Sequence, residues 1–145
     1  MNKTYTVEPN FSELEKRLGH SFQNPKLLQR ALTHRSYANE CMTEDVQHNE
    51  TFEFLGDSAL GFIVSSWLFN LYPMLDEGKL SKIKAYLVSA RTLARRAEAL
   101  GLGQFLRLNK GEEKTGGRSK KTILVDAYEA TIAALYLDAG LEAAV

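Results

Sequence analysis

The stretch HNETFEFLGDSALGFIVSSWLF, His48 to Phe69, constrains this chain more than any other. It is apolar enough to form a core helix, yet it carries Glu50, Glu53 and Asp57. A buried carboxylate without a partner is among the costliest groups a fold can contain, so three of them need a reason. At about 100° per residue the three lie within roughly 60° of one another on a helical wheel, forming one stripe. Leu60 and Val64 share that side, so it is not an ordinary solvated face, and Phe52, Phe54, Leu55, Phe62 and Ile63 cover the remaining circumference. A helix apolar nearly all round is buried or contacted on several sides.

A second segment repeats the pattern. In TILVDAYEATIAALYLDAG, Asp126 and Glu129 are three residues apart and hence neighbours on a helix. Ala130, Ala133 and Leu137 share their face, while Ile132, Leu135 and Tyr136 cover much of the rest. If the two faces meet, four or five carboxylates converge and repel one another. Arginine or lysine could neutralise them, but neither helix carries one within its stripe. A divalent cation is the other solution, and all-oxygen ligation favours Mg²⁺, with Mn²⁺ as substitute, over zinc. Such an ion commonly engages substrate phosphate in phosphodiester hydrolysis. Spacing alone leaves open the plainer reading, in which the acids are partly exposed or paired.

The remaining chain reads as helical. Asn10 with Glu13 makes a capping-box pattern closed by Gly19, and Asn24 followed by Pro25 starts a helix running towards Glu40. A polar stretch, Asn39 to Asn49, leads into the long apolar segment, which stops at Pro73. Leu80, Ile83, Leu87 and Leu93 mark one amphipathic helix ended by Gly101. The final helix runs to Gly140, and GLEAAV begins a short further turn. No strand alternation stands out, so the fold class is all-α, in one domain spanning 1–145. The apolar run Leu60 to Leu75, broken by serines, Asn70 and Pro73, reads as too short and punctuated to span a bilayer. No apolar signal segment is read at the start, and the lone Cys41 fits a reducing compartment. The expectation is a cytoplasmic protein without a membrane anchor. Lys plus Arg and Asp plus Glu both number 18, so net charge is zero and distribution matters more. KGEEKTGGRSKK concentrates Lys110, Lys114, Arg118, Lys120 and Lys121 in what reads as a flexible loop.

NETFEFLGDSALGF resembles the signature of the ribonuclease III family, whose usual form reads Asn-Glu-Arg-Leu-Glu-Phe-Leu-Gly-Asp-Ser. LLQRALTHRSYANE, DEGKLSKIKAYLVSARTLA, GEEKTGGRSKKTILVDAYEA and ALYLDAGLE resemble the same family in order and spacing, so that the likeness covers roughly residues 10 to 142. The resemblance implies a Mg²⁺-dependent endonuclease that cuts double-stranded RNA to 5′-phosphate and 3′-hydroxyl ends with short 3′ overhangs, serving rRNA and mRNA processing. It places the four metal-binding carboxylates on Glu53, Asp57, Asp126 and Glu129, with Asp57 and Glu129 the catalytic pair and Glu129 the most critical. It places two supporting acids on Glu50 and Glu77; read alone, Glu77 is a helix-start acid.

It also implies a homodimer, with the signature helix at the interface and Phe54 inserted into the partner, where the sequence by itself reads Phe54 as core. Duplex RNA has a pseudo-dyad, which a symmetric pair of sites would match. The basic residues Lys110 to Lys121 are the candidate phosphate contacts, with Gly116 and Gly117 letting backbone approach. His34, within THRSY, reads as a structural hydrogen-bonding residue. Two departures stand out. Thr51-Phe52 replaces the family's Arg-Leu, and the chain ends where a double-stranded-RNA-binding domain usually follows, which reads as a truncated form. A non-catalytic dimeric RNA-binding or ribosome-associated relative is the alternative; it would have lost acids that are all present here.

Overall fold

The computed structural model describes residues 9–41 and 46–145. Nine α-helices are formed among these residues: α1 (Phe11–Leu18), α2 (Pro25–Ala31), α3 (Arg35–Glu40), α4 (Glu50–Leu71), α5 (Glu77–Leu87), α6 (Ala90–Leu100), α7 (Lys110–Lys114), α8 (Lys121–Ala139) and α9 (Leu141–Ala144). Two 3₁₀ turns, Leu102–Phe105 and Gly117–Ser119, flank α7, and an isolated bridge joins Thr33 to Arg107. The all-α expectation holds.

Helix α8 is the axis of the domain. Eleven of its residues are buried, from Ile123 to Leu135, and it packs against α4, α6 and α2. On one side Ile123, Leu124 and Ala127 join Leu14, Leu28, Leu32, Ala97, Leu102, Phe105 and Leu106 in the main core. On the other, Ala130, Ala133 and Ala134 meet Ala31 and Phe52. Small residues on α8 let α4 come close, and Gly56 takes this furthest. A Cβ built on Gly56 would stand 1.7 Å from the backbone oxygen of Glu129, inside any permitted contact. That close approach lies one residue before Asp57 and at Glu129 itself.

The predicted stops and starts mostly stand. Asn10 accepts from the Ser12 amide, Asn24 accepts from the Lys26 amide, and Gly19 and Gly101 close α1 and α6 in the left-handed conformation. Glu13 engages Arg17 at 3.5 Å.

Two expected helices are each broken in two. The segment from Asn24 to Glu40 divides at Leu32–His34, where the Thr33 hydroxyl donates to Gln29 O and the amides of Arg107 and His34 pair with Leu32 O and Arg107 O. The segment ending at Gly101 divides at Val88–Ser89, because Ser89 Oγ accepts from the Thr92 amide and caps α6 afresh. The supposed loop Lys110–Lys121 holds α7 and a 3₁₀ turn, started by Asn109 accepting from the Glu112 amide.

Helix α4 also corrects the estimate of membrane-spanning length. It starts at Glu50, runs 22 residues, and is long and apolar enough to cross a bilayer by length and composition, with a mean hydropathy of 1.3 in its most apolar window. Its acid stripe runs along the seam with α8, and only Phe52, Gly56, Ala59 and Leu68 are buried. Phe54 is 78% exposed, so the core reading of this residue fails.

Two tethers hold the early helices to this frame. Asp138, near the end of α8, accepts from His20 Nε2 (2.8 Å) and from the amides of Gln23 (3.0 Å) and Asn24 (2.9 Å). Burial works against its charge, but these hydrogen bonds outweigh it and hold its pKa below the usual carboxylate value. Asn49, read from sequence as part of a polar linker, is buried; its side chain donates to Ala31 O and its amide to Thr33 O.

Candidate active site

Residues of α4 three and four apart, Glu50, Glu53 and Asp57, face Asp126 and Glu129 of α8 across the seam that Gly56 brings together. Glu129 is buried, Glu53 and Asp126 are half-buried, and Asp57 and Glu50 are exposed. Their charges couple. Burial, and after it Glu53 and Glu50, raises the Asp126 pKa from 3.8 to about 6. Burial, followed by Asp57, Glu53 and Asp126, raises that of Glu129 from 4.5 to about 7. None of Glu53, Asp57, Asp126 and Glu129 makes a hydrogen bond or ion pair to another described side chain. The two sets of acids thus face one another closely enough for their charges to couple. The cluster is open: among the described residues, no three of these acids stand at preformed metal-ligand spacing.

A groove of about 490 Å³ opens beside the seam, lined by Glu50, Glu53 and Asp126 together with His34, Arg35, Glu112 and Lys120. The sequence showed no cation within the stripes, and the fold brings two from elsewhere. Arg35 of α3 approaches Glu50 at 3.7 Å, and Lys120 binds Glu112 at 2.9 Å. Both pairings engage acids outside the central four. Glu77 does not line this groove; it starts α5, after its N-cap Asp76, and accepts from Ser81 Oγ.

The basic candidates separate into two groups. Lys110, Lys114 and Lys121 are exposed on and beside α7. Arg118 is a brace: it donates to Gly103 O and Leu106 O and is ion-paired with Glu113, so its guanidinium is committed within the domain. Gly117 brings its backbone close to its own neighbour, since a Cβ there would lie 2.8 Å from Glu112 O.

The Thr51-Phe52 departure has a local account. Arg30 of α2 donates to Thr51 Oγ1 at 2.8 Å and to His48 O at 3.1 Å, and its guanidinium lies 4.5 Å from the centre of the Phe52 ring. Sequence spacing gave no sign of this, because Arg30 lies 21 residues before its partner Thr51.

The acid chemistry sets an expectation for stability. Asp126 and Glu129 hold their protons more tightly in the folded chain than in the unfolded one, so the native state binds more protons between about pH 4 and 7. Stability from these two groups is complete below their unfolded values and is lost as pH rises through 6 and 7, by on the order of a few kcal/mol. In chelator, the melting temperature is expected to fall between pH 5 and 8, and Glu129→Gln to flatten the upper part of that slope. Thermal melts across that range measure it; a wild-type melting temperature that rises between pH 6 and 8 would contradict the coupling.

An all-helical domain with a four-carboxylate seam between its two central helices is the class that fold and site define. The chain belongs to the ribonuclease-III-like family, whose profile matches residues 24–145. It is 47% identical over 132 residues to Ribonuclease 3 of Listeria innocua, a match covering 91% of this chain and 58% of that protein. It is 48% identical to Ribonuclease 3 of Ectopseudomonas mendocina, over 95% of this chain and 57% of that protein. The chain thus spans somewhat over half the length of these relatives. The solved nuclease domain of ribonuclease III from Campylobacter jejuni superimposes with a TM-score of 0.85 at 41% identity, covering 93% of this chain and 90% of that one. That structure is described as showing flexibility in the region involved in dimer formation.

Proposed function

We infer that this domain is a Mg²⁺-dependent endonuclease of double-stranded RNA, acting as a homodimer in cytoplasmic RNA processing and leaving 5′-phosphate and 3′-hydroxyl ends with short 3′ overhangs. The observation that carries the reading is the α4–α8 seam, where four carboxylates couple, none of them ion-paired with a described cation, and two have raised pKa values. Their oxygen-only donor set fits Mg²⁺, which is held by a few carboxylates and retains room for water and phosphate rather than filling a closed cage. Glu53, Asp57, Asp126 and Glu129 would hold the ion, which supplies activation of water and stabilisation of charge on the phosphate. Glu129, buried and with no side-chain hydrogen bond among the described residues, is the acid with most to gain from a cation. Glu50 borders the groove as a supporting acid. Lys110, Lys114 and Lys121 remain candidate phosphate contacts, whose binding would weaken with salt.

The dimer rests on α4. Phe54 and Phe69 are 78% and 71% exposed, and with Phe62 they occupy one side of the helix, a row of large aromatic side chains left in water by the single chain. Phe54→Asp is expected to shift the domain to monomer in analytical ultracentrifugation and to reduce duplex cleavage at least tenfold, while its helical circular dichroism persists. A variant that remains dimeric would reject Phe54 as the anchor.

The function is tested by incubating a long RNA duplex with the protein at low salt, in Mg²⁺ or in EDTA, beside the single strand and a DNA duplex of the same sequence. Cutting confined to the RNA duplex and to Mg²⁺, with 5′-phosphate products, is expected. No cutting at high concentration by protein that dimerises and binds the duplex would overturn the enzyme and leave an RNA-binding domain.

A further inference from the structure

The groove beside the acids also holds a histidine with two faces. His34 is the N-cap of α3, and its Nδ1 accepts from the Ser36 amide at 3.2 Å. The same Nδ1 lies 2.8 Å from Ser36 Oγ, and that oxygen accepts from the Asn109 amide at 3.1 Å. While accepting from Asn109, the Ser36 hydroxyl can turn its hydrogen to Nδ1. The Ser36 amide can only donate, so Nδ1 is the acceptor and the unprotonated nitrogen, and the ring proton resides on Nε2. Nε2 has no hydrogen-bond partner among the described residues, and it is not sealed from solvent. The His34 side chain lines the same groove as Glu53 and Asp126.

The cations beside it are already engaged, Arg35 with Glu50 and Lys120 with Glu112. Burial lowers the His34 pKa from its ordinary value, against the pull of Glu112. A neutral ring presents a fixed N–H where an imidazolium would set a donor on Nδ1 against the Ser36 amide.

We propose that His34 is a substrate-binding residue, its Nε2–H donating to an oxygen of the sugar–phosphate backbone of the RNA strand that lies in the acidic groove. This rests on the duplex-RNA reading above. It differs from a salt-screened lysine contact, because a neutral donor releases no counterion. It also fits a substrate recognised by backbone and ribose rather than by base edges.

Two roles on one ring can be separated. His34→Asn retains a good N-cap, because its side-chain oxygen can accept from the Ser36 amide, but it is too short to reproduce Nε2–H. Duplex affinity is measured in EDTA as a function of salt, and KM and kcat are measured in Mg²⁺. The expected result is a melting temperature near wild type, a Kd and KM raised about 5- to 10-fold, and an unchanged slope of log affinity against log salt. Repeating the comparison on a duplex with 2′-deoxy residues in one strand at a time identifies the acceptor. The effect of the variant vanishes on one such duplex if a 2′-hydroxyl is bound, and persists if a phosphate is bound.

Affinity and KM equal to wild type would overturn the assignment. A slope reduced by about one would also overturn it, by showing that the ring binds as a cation. If His34→Asn fails to fold, imidazole ¹⁵N resonances of the wild-type protein decide instead: Nε2 must be the protonated nitrogen and must shift on adding duplex, and an unmoved resonance rejects the contact. A wild-type protein that binds no duplex at all would instead reject the functional reading on which this rests.

Discussion

Glu129→Gln is expected to reduce Mg²⁺-dependent cleavage of duplex RNA by on the order of 10³-fold while leaving the domain folded. The side chain changes by one atom type, so the packing around this buried position is retained. What is lost is the negative charge at the centre of the cluster, where Asp57, Glu53 and Asp126 all act on it. A bound divalent ion contributes several kcal/mol of charge stabilisation in the transition state, and each 1.36 kcal/mol is a factor of ten in rate. The amide cannot hold the ion with the same strength, although its carbonyl remains a weak ligand. Relief of repulsion should make the chelated variant more stable than wild type above pH 7. Higher stability together with lost activity is the pattern of a site whose acids are kept for function. Single-turnover cleavage and parallel thermal melts measure the two halves. Wild-type cleavage rates in the variant would remove Glu129 from the site.

The second large effect concerns the backbone. Gly56→Ala is expected to destabilise the domain by about 3 kcal/mol or more, because its new Cβ would sit 1.7 Å from the carbonyl oxygen of Glu129. No rotamer relieves that contact, since both atoms are fixed to their helices. Either α4 and α8 part, opening the acid seam and impairing cleavage, or the chain unfolds. Gly61→Ala, five residues along α4, is the control. There the new Cβ meets only the end of the Lys84 side chain at 3.7 Å, an ordinary contact. Alanine's higher helix propensity should make Gly61→Ala neutral or stabilising by up to about 1 kcal/mol. Urea denaturation of both variants checks the pair, and equal midpoints would mean that the helices do not approach as described.

Much of the site was legible because it obeys local periodicity. Glu50, Glu53 and Asp57 share a face whatever surrounds them, and so do Asp126 and Glu129. The caps at Asn10 and Asn24 and the stops at Gly19 and Gly101 are local for the same reason. The breaks at Thr33 and Ser89 were harder. Ser89 caps α6 through Thr92, a serine followed three residues later by a hydroxyl residue, and that weak signal lies within apparently continuous helix. The break at Thr33 depends on Arg107, some 70 residues away, which no local pattern can announce. Arg118 shows the converse problem. Its charge in a basic, glycine-containing stretch reads as a phosphate contact, whereas Gly103, Leu106 and Glu113 occupy it. Gly56 and the open nitrogen of His34 acquire meaning only once the facing helix and the groove are in place.

The central claim is that the α4–α8 seam is a divalent-cation site, and Mn²⁺ binding followed by electron paramagnetic resonance at pH 7.5 tests it most directly. The wild-type domain is expected to remove at least one Mn²⁺ per chain from the free pool and to release it to excess Mg²⁺, with Glu129→Gln binding at least tenfold more weakly. Undiminished free Mn²⁺ at millimolar concentration, in protein that is folded and binds duplex RNA, would contradict the account.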